Sequence, residues 1–319
     1  MVYRNAMSRT VLLLLSAVLA WAPLSASRAQ ETAPEMSTLV EGLEVVARAP
    51  GPALWRVRRG GSEVVILGTV APFPHAQTWD DTRLRRNLTG ARQILAPVQL
   101  TGGGRALLAF AFGERSRLRV PAGQPLNARL PPQLAARFEG AAAAALQKGD
   151  KYDRWKPGAA GFLLMADFDE AAGLSRAKPV NTAERLARSL RVPVRHAGKL
   201  DVAALMRGFG QLDDAQHLAC LDVALDQIER LASAPGQLGR AWAKGDLRTV
   251  NRLYNARGAG GCALLNPVID RQVAQTSSTL DAALNTPGRI VALVDMTLLL
   301  QPDGVLDRLA RTGAQVDMP

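Results

Sequence analysis

Two uninterrupted apolar segments near opposite ends of the chain constrain its fold most strongly. Val64–Leu67 contains no polar residue, and Ile290–Val294 is likewise apolar throughout. A strand with one face in water alternates polar and apolar residues, whereas a continuous apolar run is typical of a strand covered on both faces. The sequence therefore predicts two buried strands in a sheet that is covered by helices.

The segment around the first apolar run predicts a β-hairpin. Ala53–Val57 and Glu63–Thr69 flank a turn whose two glycines, Gly60 and Gly61, supply positive φ angles. Gln93–Leu100 predicts a further strand. Because the proline at position 97 cannot donate a ladder hydrogen bond, that strand must be interrupted or lie at a sheet edge.

The remainder of the chain predicts mainly helices. Cys262–Leu284 carries apolar residues at spacings of three and four, which is typical of a helix with one buried stripe. A short strand is expected at Lys178–Asn181, with Thr182 capping the helix after it. The other predicted helices are 79–91, 135–146, 158–172, 182–190, 202–209, 213–231, 238–242 and 302–312, and a last strand is expected at 314–316. The predicted fold class is α/β of a mixed kind, with a mixed central sheet, an N-terminal hairpin and many covering helices.

The N-terminus predicts export. Arg4 and Arg9 precede the apolar run Val11–Ala22, and Ser27-Arg28-Ala29 has small residues at the two positions that a signal peptidase recognises. The run is shorter than the roughly 20 residues that span a bilayer, although an uncleaved anchor is the alternative. We expect a signal peptide at 1–29, a flexible lead-in at 30–52 and one domain at 53–319. The mature chain is expected to be periplasmic or secreted and to lack a transmembrane span.

Cysteine content and charge add two expectations. Cys220 and Cys262 are the only cysteines, and an even number in an exported chain favours a disulfide, with two free buried thiols as the alternative. The formal net charge is +11, but the arginines are scattered and only 5% of residues are aromatic. Nucleic-acid-binding proteins concentrate their basic residues on one face, so we expect no nucleic-acid partner.

Several short motifs, in order, resemble those of the TraB/GumN family. Leu54-Trp55 and Gly68-Thr69 resemble its opening, in which a Leu-Trp hairpin leads into Gly-Thr-Ile-His. The resemblance continues at Trp155-Lys156-Pro157 and Trp242 and ends at Pro302-Asp303-Gly304, so it covers roughly residues 53–319. The family is similar to the Tiki metalloproteases and the erythromycin-esterase-like proteins. This resemblance implies two histidines and a glutamate in a cleft between sheet and helices, where they bind a divalent metal such as zinc or manganese or act as bases.

The chain departs from the family pattern at the residues that carry this chemistry. Gly68 and Thr69 match the first motif, but Ala71 occupies the position of its histidine. Pro97 occupies the glutamate position, and Leu298 occupies the position of the second histidine. A methyl group, a pyrrolidine ring and an isobutyl group can neither bind a metal nor transfer a proton. We therefore expect no catalytic residue at these positions, no metal site and no cofactor.

Other polar residues could form a different cleft. Arg271 matches a family arginine on a helix, and Asp295 stands where the second motif has glycine. These two residues could form an ion pair, but Asp295 could instead cap the turn that follows its strand. His75 could approach the position vacated at Ala71, although a histidine after two prolines is more often exposed. The candidate cleft residues are Gly68, Thr69, His75, Arg271 and Asp295.

Three functional hypotheses follow. The first is a catalytically degenerate envelope protein that binds or scaffolds a protein, peptide or polysaccharide. The second is a metal-dependent hydrolase, peptidase-like or esterase-like, with His75, Asp295 or Glu184 as replacement residues. The third is an unrelated exported structural protein, for which the strand at Val64–Thr69 need not lie beside the strand at Ile290–Val294. Metal uptake distinguishes the first hypothesis from the second.

Overall fold

The computed structural model describes residues 51–101, 117–120, 123, 125–255 and 261–319. The predicted signal peptide and all but the last two residues of the predicted lead-in lie outside these ranges. Within the described ranges, no helix combines the length and the apolar character needed to cross a membrane.

A six-stranded mixed sheet forms the centre of the fold. The strands are β1 (Leu54–Arg59), β2 (Ser62–Thr69), β3 (Phe73–Pro74), β4 (Ile94–Ala96), β5 (Gln99–Thr101), β6 (Leu174–Ser175), β7 (Val194–His196), β8 (Lys199–Asp201), β9 (Gly288–Asp295) and β10 (Gln315–Asp317). The order in the sheet is β10-β1-β2-β9-β4-β7. Strands β10, β1 and β2 are antiparallel neighbours, whereas β2, β9, β4 and β7 run parallel. Two further pairs, β3 with β6 and β5 with β8, lie outside this sheet.

Helices form most of the rest of the described chain, which confirms the predicted mixed α/β class. The helices are α1 (Thr82–Leu88), α2 (Pro132–Ala144), α3 (Pro157–Ala171), α4 (Lys178–Ser189), α5 (Val202–Gly210), α6 (Asp214–Ser233), α7 (Gln237–Ala243), α8 (Leu247–Asn255), α9 (Leu265–Leu284), α10 (Met296–Leu300) and α11 (Val305–Arg311). One apolar core surrounds the sheet, and a second is built mainly from three of these helices, α2, α3 and α6.

The apolar runs Val64–Leu67 and Ile290–Val294 lie in adjacent strands. Strand β2 pairs with β9 in parallel along its whole length, from Ser62 opposite Gly288 to Thr69 opposite Asp295. Both apolar runs are fully buried, because each strand has neighbours on both sides and apolar side chains on both faces. The predicted hairpin and the predicted buried strands are confirmed, although only Gly60 of the two turn glycines has a positive φ angle.

Proline explains one correct and one wrong prediction. The strand expected at Gln93–Leu100 is interrupted at Pro97, so that β4 belongs to the central sheet and β5 pairs with β8 instead. The strand expected at Lys178–Asn181 is wrong, because this segment is the first turn of α4. Pro179 is tolerated there since the first amides of a helix have no intrahelical acceptor. Thr182 therefore lies inside the helix and does not cap it.

A disulfide joins Cys220 to Cys262, as predicted. Cys220 lies on α6, in the helical core, and Cys262 lies three residues before α9, which packs against the sheet. Both residues are buried. The bond therefore links the helical core to a helix of the sheet core.

Candidate functional site

The parallel register places the two sequence motifs side by side. Gly68 lies opposite Val294, and Thr69 lies opposite Asp295, so both motifs begin where β2 and β9 end. Strand β4 is the other parallel neighbour of β9, and it ends at Ala96. In open sheets with parallel strands, ligands bind in the crevice outside the carboxyl ends of the strands.

The three positions that the family resemblance assigns to catalytic residues follow these strand ends. Ala71 comes two residues after β2, and Pro97 directly follows β4. Leu298 lies in α10, the short helix that continues directly from β9. The fold therefore supplies a common edge for these positions, although their side chains provide no donor atom.

Apolar side chains pack the strand-end region. Val70, Met296 and Leu298 are all buried, with exposed fractions of 1%, 2% and 8%. Trp242, on α7, covers the end of β2 and donates a hydrogen bond from its indole nitrogen to the Gly68 carbonyl oxygen at 2.5 Å. Its ring also packs edge-on against Phe73, with centroids 5.4 Å apart. These contacts make the strand ends part of the hydrophobic core.

Gly68 is required by this packing rather than by its backbone conformation. A Cβ atom at this position would overlap the Sδ atom of Met296 and lie 2.8 Å from the Cζ3 atom of Trp55. Side chains from β1 and α10 therefore occupy the space above the last residues of β2. The packing therefore gives a steric reason why the glycine of the first motif is present at position 68.

Asp295 caps the helix that follows its strand. Its Oδ1 atom accepts a hydrogen bond from the Thr297 amide at 2.8 Å, and this bond satisfies an N-terminal donor of α10. Arg271 is exposed on α9, and no ion pair within the described ranges joins it to Asp295. Of the two roles considered for Asp295, the geometry supports the cap.

The other proposed replacement residues have separate surroundings. His75 is exposed on the loop after β3, where its backbone amide donates to the Gly173 carbonyl at 2.8 Å. Glu184 lies on α4 and pairs with Arg188 at 2.6 Å. The Glu184 carboxylate is therefore one half of a local ion pair, and the two residues lie on different elements.

The available donor atoms do not fit a divalent metal. Protein zinc sites use three or four nitrogen, sulfur or oxygen ligands. Across the described part of the chain, no group of three histidine, cysteine, aspartate or glutamate side chains is placed to hold an ion. At the strand ends, the side chains of Ala71, Pro97 and Leu298 contribute only carbon atoms to any such site.

A concave surface adjoins this region. We call it the helix-end cleft; it has a volume of about 810 Å³ and lies between the loop Pro74–Thr78 and the ends of α2, α3, α6 and α7. Lys178 holds the loop, since its Nζ donates to the carbonyls of Pro74 and Gln77 at 3.3 and 2.6 Å, as well as to that of His75. The loop begins three residues after Ala71, so the cleft lies beside the first motif.

Sequence reasoning missed the helix-end cleft, because its walls come from helix ends that are far apart in the chain. The available indication was the pair Arg240 and Lys244, which stand four residues apart at the end of α7. Such a pair lies on one side of a helix and can face a common ligand.

Together, these features define a class: a mixed α/β protein with paired strand-and-motif units that meet at the carboxyl edge of parallel strands. The model of the TraB/PrgY/gumN family matches residues 53–318, and the chain belongs to that family. The chain matches no curated protein and no solved structure with which it was compared. Family membership excludes the hypothesis of an unrelated protein with chance similarity.

Proposed function

We propose that this chain is an exported, catalytically degenerate member of its family that acts as a binding or scaffold protein in the cell envelope. Its partner would be a protein, a peptide or a polysaccharide. The observation that carries the proposal is the position of Ala71, Pro97 and Leu298 after three neighbouring parallel strands. A family-type site would converge at this edge, and these side chains cannot ligate a metal.

Packing at the strand ends supports the loss of catalysis. Leu298 and Met296 belong to the same buried cluster as Trp242. A metal-binding histidine needs a polar second shell that orients its ring. Here the neighbours are apolar side chains, so the space is used for hydrophobic packing, which stabilises the fold.

Export is supported by two independent features. The first is the N-terminal sequence, in which basic residues, an apolar run and small residues occur in the order of a signal peptide. The second is the Cys220–Cys262 disulfide, because such bonds persist mainly in oxidising compartments.

The three residues named for the hydrolase alternative lie in different parts of the described chain. Asp295 serves as a helix cap, and Glu184 is paired with Arg188. His75 is exposed on its loop. A replacement site would need these groups to converge on one ion or one water molecule.

Metal content tests the proposal. The purified chain is incubated with zinc, manganese and cobalt, dialysed and analysed by mass spectrometry. We expect no stoichiometric metal, because the strand ends lack donor side chains. The matched control is the triple variant Ala71→His, Pro97→Glu, Leu298→His, whose folding is checked by circular dichroism and which restores the donor set.

One tightly held ion per wild-type chain would overturn the proposal. In that case His75→Ala and Asp295→Ala would identify the residues that replaced the missing ligands. Uptake by the triple variant alone would support both the alignment of the motifs and their loss in the natural chain.

A further inference from the structure

The helix-end cleft is a concave surface that the family motifs do not explain. Its volume of about 810 Å³ lies within the range of roughly 300–1,000 Å³ that small-molecule sites occupy. We propose that it binds an aliphatic carboxylate, with the alkyl chain along the apolar wall and the carboxylate at Arg240 and Lys244. This inference goes beyond the proposed function and does not depend on the loss of the motif residues.

The wall of the cleft suits an alkyl chain. Small side chains at Ala144 and Ala172 leave room for an unbranched chain, and Phe168, Leu174 and Leu231 supply apolar contact surface. Phe168 is buried, while the two leucines are half-buried. Transfer of methylene groups from water onto such a surface is favourable.

The two cations give the cleft its polarity. Within the described ranges, neither Arg240 nor Lys244 forms an ion pair or a side-chain hydrogen bond, and no carboxylate lines the cleft. The Nη1 atom of Arg240 lies 2.9 Å from the position that a Cβ atom of Gly236 would occupy. Gly236 also lines the cleft, so the guanidinium group lies at its wall.

Charge complementarity therefore favours an anion at this end of the cleft. Arginine binds a carboxylate through two parallel hydrogen bonds, and lysine adds a second positive charge. A cation near the end of α7 also interacts favourably with the helix dipole. The dipole accounts for a basic residue there, but it does not account for two unpaired cations beside one apolar cleft.

The same wall disfavours a peptide. Each peptide unit carries an N–H and a C=O group, and burying such groups without partners costs free energy. Gln77 and Thr78 are the uncharged polar side chains that line the cleft in the described chain. An alkyl chain needs no such partners, so an aliphatic carboxylate fits the chemistry better.

Calorimetric titration of the purified full-length protein tests this inference. Dodecanoate, dodecanol and acetate are titrated separately, so that charge and chain length are varied in turn. We expect dodecanoate to bind once per chain and acetate to show no binding. Dodecanol should bind at least about tenfold more weakly than dodecanoate, because charged hydrogen bonds contribute at least about that factor.

Variants assign the effect to the two cations. The double variant Arg240→Gln, Lys244→Gln should lose at least about tenfold in affinity for dodecanoate and leave dodecanol binding unchanged. Arg248→Gln is the matched control, since Arg248 is exposed on the neighbouring helix α8 and does not line the cleft. All three changed side chains are exposed, so the fold should be retained.

Three results would overturn the inference. The first is the absence of dodecanoate binding, and the second is equal binding of dodecanol. The third is tighter binding of an acetylated leucine–alanine tetrapeptide with a free carboxyl terminus, which would identify the cleft as a peptide site. None of these results bears on metal content, so the proposed function is tested separately.

Discussion

Helix α7 separates two regions that differ in packing. On one side, Trp242 closes over the end of β2, where the side chains of Trp55 and Met296 leave no room for a Cβ at Gly68. On the other side, Arg240 and Lys244 border a cleft of about 810 Å³. The family resemblance leads one to expect chemistry at the strand ends. In this chain side chains fill the space at the strand ends, which we call the filled side. The helix-end cleft, which we call the open side, lies on the other side of α7.

The largest effect is expected at the filled side, from Gly68→Ala. The added methyl group would overlap Met296 and crowd Trp55, so the free energy of unfolding should decrease by about 1–3 kcal/mol. Urea denaturation measures this change. Gly61→Ala is the matched control, because a Cβ at Gly61 meets nothing within 4 Å, and its effect should be much smaller. Equal effects of the two substitutions would show that the strand ends are not tightly packed.

An intermediate effect is expected from His217, which lies on α6, a helix that also contributes to the cleft wall. His217 is fully buried, and neither ring nitrogen has a hydrogen-bond partner among the described residues. Burial, and then the charge of Lys156, lower the pKa of this imidazole. Below about pH 6.5 the unfolded chain binds a proton that the folded chain does not, so stability is lost as pH falls from there.

His217→Leu should therefore reduce the loss of stability between pH 7.5 and 5.5. The measurement is the free energy of unfolding, by urea, at several pH values in this range. His75→Leu serves as the control, because it removes an exposed histidine and leaves the buried one in place. An unchanged slope in His217→Leu would mean that other groups cause the acid sensitivity.

The smallest effect on stability is expected at the open side, from Ala172→Leu. Ala172 is exposed and lines the cleft, so a larger side chain enters open space. The free energy of unfolding should change by less than about 0.5 kcal/mol, as is usual for surface positions. Dodecanoate affinity should nevertheless fall, because the side chain occupies the volume proposed for the alkyl chain. A large destabilisation would show that this side is packed as tightly as the strand ends.

Local pattern is sufficient to predict the strands of the filled side, but not the side chains that pack over their ends. The runs Val64–Leu67 and Ile290–Val294 are too apolar for strands with a face in water. Their position side by side is what distinguishes the family resemblance from the alternative of an unrelated protein. The interruption at Pro97 followed from the missing amide hydrogen. By contrast, the strand predicted at Lys178–Asn181 is wrong, because a proline in the first turn of a helix gives the same local pattern as a proline that ends a helix.

The open side could not be predicted in the same way. The helix-end cleft depends on how the ends of α2, α3, α6 and α7 are spaced in three dimensions. Its alanines are common in any helix, and they carry no information about a shared wall. The contact of Trp242 with the end of β2 is not predictable from local pattern either, since α7 is distant in sequence from both motifs. The polar residues proposed for a cleft have local roles that only coordinates reveal, such as the helix cap formed by Asp295.

The position of β9 has a consequence for how the chain reaches its folded state. This strand begins at Gly288 of a 319-residue chain, yet it lies between β2 and β4, which belong to the first third of the sequence. Contacts so distant in sequence form late, because a long loop must close first. Until β9 is synthesised and inserted, β2 and β4 present unpaired apolar edges of the kind that promote aggregation. A chain truncated before Gly288 should therefore be unable to complete its sheet and should be prone to aggregation and proteolysis.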